Sequence, residues 1–279
     1  METKVTDPMI PNLYKISKHR DETADTFTIE LRPVDGTQKF EFMPGQFCML
    51  HAFGIGESAI SISGDPGIRN VITHTIKQVG SVTKILEALN LGSTIGVRGP
   101  FGTPWPIREA VGKNVVIVAG GIGLAPLRPV IYHILAHRDQ YRKVWLFYGA
   151  RTPKDVIYEE EIAKWRKRGD IEIHMTVDKG RLLWRGSVGT VPAVMEKVAV
   201  DTKNTIALVC GPEIMIHFSV IALEKMGFSK EAIYVSMERN MQCGVGYCGH
   251  CMCGEKFICK DGPVLKYSEA EKLLKIREL

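Results

Sequence analysis

Between residues 12 and about 102 the apolar positions come in short runs that alternate with polar ones, as in Thr26-Phe27-Thr28-Ile29-Glu30-Leu31. A period of two marks strands with one buried face and one wet face. Runs of this kind over 14–17, 26–31, 46–51, 59–63, 71–78 and 94–97 are separated by turn residues such as Pro44-Gly45, Asp65-Pro66-Gly67 and Asn90-Leu91-Gly92. The pattern predicts a small antiparallel barrel. One stretch, 81–89, has helical spacing instead and opens on Gly80-Ser81-Val82-Thr83. The first N–H groups of a helix are unsatisfied and carry positive dipole, so this junction is a natural seat for a pyrophosphate. Ser81 taken alone reads as an ordinary N-cap.

From Asn114 the pattern changes to wholly apolar runs, 115–119, 144–148, 171–177, 206–210 and 234–237, interleaved with helical segments 127–137, 156–166, 191–198 and 214–225. Buried strands alternating with amphipathic helices predict a parallel sheet covered on both faces, an α/β domain. Its first strand runs into Ala119-Gly120-Gly121-Ile122-Gly123-Leu124-Ala125-Pro126. This glycine turn opens a helix at the end of a strand where open α/β sheets bind nucleotides, although it is not G-x-G-x-x-G. A second turn, Cys210-Gly211-Pro212-Glu213, follows a later strand and should line the same crevice.

A third region breaks both patterns. Five of the seven cysteines lie between Met241 and Pro263, and Cys243, Cys248 and Cys251 are spaced C-x4-C-x2-C. That is the plant-type ferredoxin arrangement for a [2Fe–2S] cluster. Cys259 suits the fourth ligand better than Cys253, because seven intervening residues let the chain turn back over the cluster. Gly244, Gly246, Gly249 and Gly254 suit a loop folded tightly on an inorganic core. Structural zinc normally takes two C-x2-4-C knuckles, and only Cys248/Cys251 has that form. A disulfide cluster does not suit an odd number of cysteines in a chain read as having no export signal.

With 279 residues, 45% of them hydrophobic and 24% charged, the chain is long enough for two domains and an appendage. The net charge of +5 is mild. Its densest basic run, Lys164-Trp165-Arg166-Lys167-Arg168, ends a helical segment, where cations are favoured, and does not indicate nucleic acid. No window is apolar enough to span a membrane, and a cytoplasmic location is expected. His133 and His137 are one helical turn apart without a third ligand nearby, so no histidine metal site is expected.

A barrel, an α/β domain opening on VAGGIGLAPLRP, a later C-G-P turn and a closing cysteine cluster, in this order, resemble the ferredoxin–NADP reductase superfamily. Within it the chain is similar to the electron-transfer subunit of dihydroorotate dehydrogenase, the anaerobic sulfite reductase B subunit and, above all, the γ subunits of cytoplasmic nickel–iron hydrogenases. The stretch from Ser236 to Cys251 looks like that last subgroup's SLERRMxCGxGxCGHC, and Cys259-Lys260-Asp261-Gly262-Pro263 like its closing C-x-DGP. The resemblance also makes Cys259 the fourth ligand.

It implies FAD in the barrel, with the flavin ring between the two domains. Ser58, Ala59, Ile60 and Ser61 stand where most members carry R-x-Y-S, so the usual arginine and tyrosine are missing. FAD is then expected to rest on backbone amides, on Ser61, on the strand His74-Thr75-Ile76 and on the turn Gly80-Ser81-Val82-Thr83, with FMN left open. Gly99-Pro100-Phe101-Gly102 resembles the family's G-P-x-G. NAD(P)H is expected across Gly120, Gly121, Ile122, Gly123, Ala125 and Pro126, with Cys210, Gly211 and Pro212 near the nicotinamide. Arg151 is placed to meet an adenosine 2′-phosphate.

The implied limits are 1–108 for the FAD barrel, 109–237 for the NAD(P) domain and 238–279 for the [2Fe–2S] subdomain. The implied chemistry passes hydride between nicotinamide and flavin and single electrons through the cluster, with no catalytic side chain named. The chain has no evident site for a terminal substrate, so it is expected to dock to the catalytic and iron–sulfur subunits of a redox complex. A hydrogenase is the leading partner, with dihydroorotate dehydrogenase, sulfite reductase or a transhydrogenase as alternatives. A non-catalytic zinc-bearing adaptor is the competing reading from another class.

Overall fold

The computed structural model describes residues 7–36, 39–180 and 184–274; the outer limits 1 and 279 of the expected domains lie outside them. The alternating runs form β1 (Asn12–Thr23), β2 (Thr26–Pro33), β3 (Phe47–Ala52), β4 (Gly56–Ser61), β5 (Ile72–Lys77) and β6 (Thr94–Phe101), with α1 (Ser81–Ala88) inserted before β6. They make one antiparallel sheet in the order β4-β3-β6-β1-β2-β5. A bridge between Ile62 and His74 brings its two edges together, closing the barrel. The period of two is visible in β2, whose Phe27, Ile29 and Leu31 are fully buried in the barrel core.

The second domain is built from β7 (Asn114–Gly120), α2 (Leu124–Ala136), β8 (Val144–Ala150), α3 (Glu159–Arg168), β9 (Glu172–Val177), β10 (Ser187–Val188), α4 (Val191–Met195), β11 (Thr205–Cys210), α5 (Glu213–Lys225) and β12 (Ile233–Ser236). Every residue of β7, β8 and β11 is buried, as a sheet covered on both faces requires. α3 starts at Glu159, later than the expected 156, because Thr152 and Asp155 cap a separate short turn and Tyr158 takes a left-handed conformation. The basic run does close α3, with Gly169 behind it at φ 73°. After β12 come β13 (Met252–Cys253), β14 (Lys256–Phe257), α6 (Ile258–Asp261), β15 (Val264–Lys266) and α7 (Tyr267–Leu273).

The sheet order is β10-β9-β8-β7-β11-β12-β15, with β15 antiparallel to β12. The C-terminal segment thus adds the last strand to the α/β sheet. Cys251, Cys253 and Cys259 share an apolar core with Val116 and Val118 of β7 and with Phe47 and Met49 of the barrel. Three residues are too few for a pattern to declare a strand, so β15 was not expected from the sequence.

A buried polar group locks the two domains together. Arg128 on α2 donates to the Ser63 carbonyl (3.2 Å) and to Glu161 (2.8 Å), and it lies 4.2 Å from the centre of the Tyr158 ring. The Tyr158 hydroxyl donates to Thr75 on β5. A guanidinium this deeply buried is tolerable only when paired and stacked in this way.

Candidate functional site

Strand order reverses between β7 and β11, so a crevice opens beyond their C-terminal ends. The two glycine turns meet there, since Cys210 is in register with Ala119. A Cβ on Gly123 would lie 2.5 Å from the Cys210 carbonyl oxygen and 2.7 Å from Gly211 Cα, so this close approach demands glycine. Gly121, at φ 52°, faces open space instead, and the half-exposed Gly121 and Ile122 form the lip of a cradle. Ala125 and Pro126 are buried in the first turn of α2, and the Pro126 carbonyl accepts the Trp105 indole N–H (3.0 Å). Cys210 is buried, and burial pushes its thiol far above neutrality. Arg151 is exposed at the end of β8, where its carbonyl accepts the Lys179 N–H.

On the barrel, Ser58, Ala59, Ile60 and Ser61 lie on the edge strand β4, all half-buried. α1 starts beside this edge, with Val82 3.6 Å from the Cβ position of Gly56. Gly80, and not Ser81, is the capping residue, and the hydroxyl that serves it belongs to Thr83, which accepts from the N–H groups of Val79 and Gly80 at 3.0 Å each. Gly80 and Ser81 are exposed, with open space over Gly80. The side chains of His74, Thr75 and Ile76 are buried, and Thr75 is engaged with Thr28, Ser63 and Tyr158. His74 pairs one ring nitrogen with the Ser61 carbonyl (3.0 Å), while its Nε2 is buried without a partner. Burial lowers its pKa to about 4, against weaker opposing backbone hydrogen bonds, so the ring is neutral.

All seven cysteines are free thiols. Among the described residues no three His, Cys, Asp or Glu side chains converge on one point as a single-ion site requires. Of the four expected ligands, Cys248 lies beside Cys243, and Cys251 and Cys243 both lie near Cys259. Their C-x4-C-x2-C spacing suits a [2Fe–2S] loop, whereas structural zinc usually takes two close cysteine knuckles. Backbone N–H groups aim at the sulfurs: Val245, Tyr247 and Cys248 at Cys243 Sγ (3.5, 3.3 and 3.4 Å), Gly246 at Cys259 Sγ (3.1 Å), and Cys259 at Cys251 Sγ (3.4 Å). Burial pushes the Cys243 thiol up, but three N–H groups outweigh it and bring its pKa to about 6. Burial together with Cys251 and Cys243 pushes Cys259 up to about 12, against the Gly246 N–H. Cys253 points elsewhere, toward the Leu273 carbonyl (3.7 Å), and accepts from Arg239 (3.4 Å).

The thiol loop rests on the barrel. Gly244, at φ 77°, has its Cβ position 3.0 Å from the Phe101 ring. Thr103 donates its N–H to the Gly262 carbonyl (2.6 Å) and its hydroxyl to that of Val264 (2.8 Å), so the G-P-F-G stretch and the closing D-G-P stretch are paired.

Comparison with known proteins bears on this arrangement. Residues 117–220 match the oxidoreductase NAD-binding domain, and residues 238–271 match the iron–sulfur cluster binding domain of dihydroorotate dehydrogenase B. The sulfhydrogenase 2 gamma subunit of Pyrococcus furiosus is 35% identical over 260 residues, 88% of this chain and 90% of its own. The chain belongs to the ferredoxin–NADP reductase superfamily. A probable electron transfer subunit of dihydroorotate dehydrogenase B from Methanocaldococcus jannaschii is 33% identical over 92% of this chain and 88% of its own. The solved structure of an NADH-dependent reduced ferredoxin-NADP oxidoreductase superimposes with a TM-score of 0.76 at 28% identity, over 94% of this chain and 91% of that one. The expected barrel, parallel-sheet domain and C-terminal iron–sulfur region are all those of this superfamily.

Two arginines that hold this superfamily fold together here were not singled out from the sequence. Arg128 falls within the helical segment 127–137, and Arg98 directly follows the run 94–97. The signal was present for Arg98, a charge in an otherwise apolar strand end directly before Gly99-Pro100. Its partners were not visible, because they lie 41 and 145 positions away.

Proposed function

We propose that this chain is the electron-transfer subunit of a cytoplasmic redox complex, working between NAD(P)H, FAD, an iron–sulfur cluster of [2Fe–2S] type and a catalytic partner, a nickel–iron hydrogenase. One observation carries the reading. The half-open strand β4 packs through Ala59 against the same apolar core that holds Cys251 and Cys259, so a flavin on that strand and a cluster in that loop are neighbours. When bound, these groups supply hydride acceptance and one-electron transfer, and the protein supplies their placement.

Each segment then has a task. Gly120, Gly121, Ile122 and Gly123 hold the dinucleotide phosphates at the start of α2, Ala125 and Pro126 fix that helix start from within the core, and Gly211 and Pro212 close the opposite wall. Cys210 presents a neutral thiol to the nicotinamide. Ser58, Ala59, Ile60 and Ser61 offer backbone groups to the flavin, the backbone of His74, Thr75 and Ile76 supports the far edge, and Gly80, Ser81, Val82 and Thr83 take the pyrophosphate. Cys243, Cys248, Cys251 and Cys259 ligate the cluster, with the N–H groups around them offsetting the negative charge it gains.

The hydrogenase partner is supported by the match over nine-tenths of a sulfhydrogenase gamma subunit. No helix among the described residues is long and apolar enough to cross a membrane. Anaerobic purification followed by visible and EPR spectra tests the cofactors. Flavin absorbance and a rhombic signal on reduction are expected; a colourless protein carrying zinc refutes the reading. Co-purification of a nickel-containing subunit tests the partner, and recovery with a dihydroorotate-oxidising subunit overturns that assignment.

A further inference from the structure

Resting on that reading, we propose that Arg98 is the positioning residue of the flavin-to-cluster step. Arg98 stands on β6 at 2% exposure, yet it is charged, so its contacts must repay its desolvation. Its Nε donates to Glu57 Oε1 at 2.9 Å and its Nη2 to Glu57 Oε2, a two-point pair with β4, one residue before Ser58. In the other direction Nη1 donates to the Cys243 carbonyl at 2.8 Å and Nη2 to the Gln242 carbonyl at 3.2 Å. The guanidinium also lies 5.8 Å from the centre of the Phe101 ring, the ring on which Gly244 packs. One side chain therefore ties the proposed flavin strand to the backbone of the first cluster ligand.

The geometry gives Arg98 two effects. As a strap it fixes the separation of the two groups, because a planar fork bonded at both ends leaves little freedom. As an oriented ion pair it points its positive end at the cluster loop and its negative end, Glu57, away toward β4 and His51 (3.4 Å from Glu57). An electron accepted from a bound, reduced flavin would add one negative charge to a cluster held by these thiolates. The positive end of the pair favours that state.

The two effects separate by mutation. Arg98→Met removes strap and positive charge and leaves Glu57 charged, so the cluster should become harder to reduce. Glu57→Gln leaves the bonds from Arg98 to the loop carbonyls in place and removes the negative charge, so it should become easier. A unit charge acting over a distance on the order of 10 Å at an effective dielectric near 20 changes the one-electron equilibrium by roughly tenfold, about 59 mV. Redox titration of the EPR signal measures this. Stopped-flow absorbance separates bleaching of the flavin by NADH or NADPH from later reduction of the cluster. In Arg98→Met the first is expected within twofold of the wild type and the second at least tenfold slower, with Arg98→Lys restoring the potential but only part of the rate.

Unchanged cluster potential in both variants, or shifts of the same sign, overturns the proposal and leaves Arg98 a packing residue. An equal loss in flavin bleaching overturns it too. Should Arg98→Met fail to keep iron, Glu57→Gln decides alone: a raised potential supports the ion-pair role, and an unchanged or lowered one refutes it. Wild-type protein lacking flavin or iron would instead refute the underlying functional reading.

Discussion

Around Cys243 everything needed lies within five positions of the sulfur: three backbone N–H groups and a partner thiol, folded there by glycines at φ 77° and 72°. Around β4 almost nothing is local. The edge that faces the proposed flavin is defined by α1 beside it and by a single bridge from Ile62 to His74. The thiol end is a compact ligand set; the flavin end is a meeting of distant backbone segments. Damage at the first should be all-or-none, and damage at the second graded.

The sharpest test of that contrast pairs two cysteines six residues apart. Cys259→Ala removes one of the four expected ligands and should abolish the cluster, taking the iron content to near zero. Cys253→Ala, which alters a thiol directed at the Leu273 carbonyl, should leave iron unchanged and cost about 1 kcal/mol of stability. Iron and sulfide assays with thermal melts decide between them, and loss of iron in the second variant would mean that the ligand set is wrong.

At the flavin end the next largest effect is expected from His74. Its folded pKa of about 4 lies below the unfolded value near 6.5, so the unfolded chain takes up the proton first as pH falls. Stability from this residue is intact above pH 6.5 and declines through the window down to pH 4, by about 3 kcal/mol in all. His74→Phe should remove that slope, while costing about 1 kcal/mol at neutral pH through the unpaired Ser61 carbonyl. Urea melts at pH 7, 5.5 and 4.5 compare the two proteins; parallel slopes would locate the titrating group elsewhere.

The same contrast explains what was legible in the sequence. The thiol loop, both glycine turns and the change from alternating to fully apolar strands are local patterns, and each produced the element it implied. The N-cap at Gly80 was misread because Thr83, three positions on, supplies the hydroxyl that Ser81 was expected to supply. β15, the Thr103–Gly262 pairing, Arg98 and Arg128 were not legible, because each depends on a partner 28 or more positions away. A lone arginine in a strand or helix gives no sign of whether water or a carboxylate awaits it.

The nucleotide crevice lies between the two extremes, since its turns are local but their contact is not. Gly123→Ala places a methyl 2.5 Å from the Cys210 carbonyl oxygen, and rigid backbone lies on both sides. The turns must separate, at about 2 kcal/mol, the usual cost of overpacking. Nucleotide affinity should weaken while the flavin and cluster spectra stay as in the wild type. Calorimetric titration with NADH on the intact protein reads this, and loss of flavin in the same variant would show that the crevice and the barrel edge are not independent.

Arg151 should give the smallest effect, and it sharpens the comparison because it is exposed. A guanidinium bonded to a 2′-phosphate contributes up to about 3 kcal/mol when desolvated, and screening at this open position reduces that to about 1 kcal/mol, or fivefold. Arg151→Ala should therefore raise KM for NADPH by about fivefold and leave that for NADH within twofold. The effect should shrink as salt is raised, since the pair is exposed. Equal losses with both nucleotides would place Arg151 against the part they share, and no loss with either would make it a solvated strand end beside Lys179.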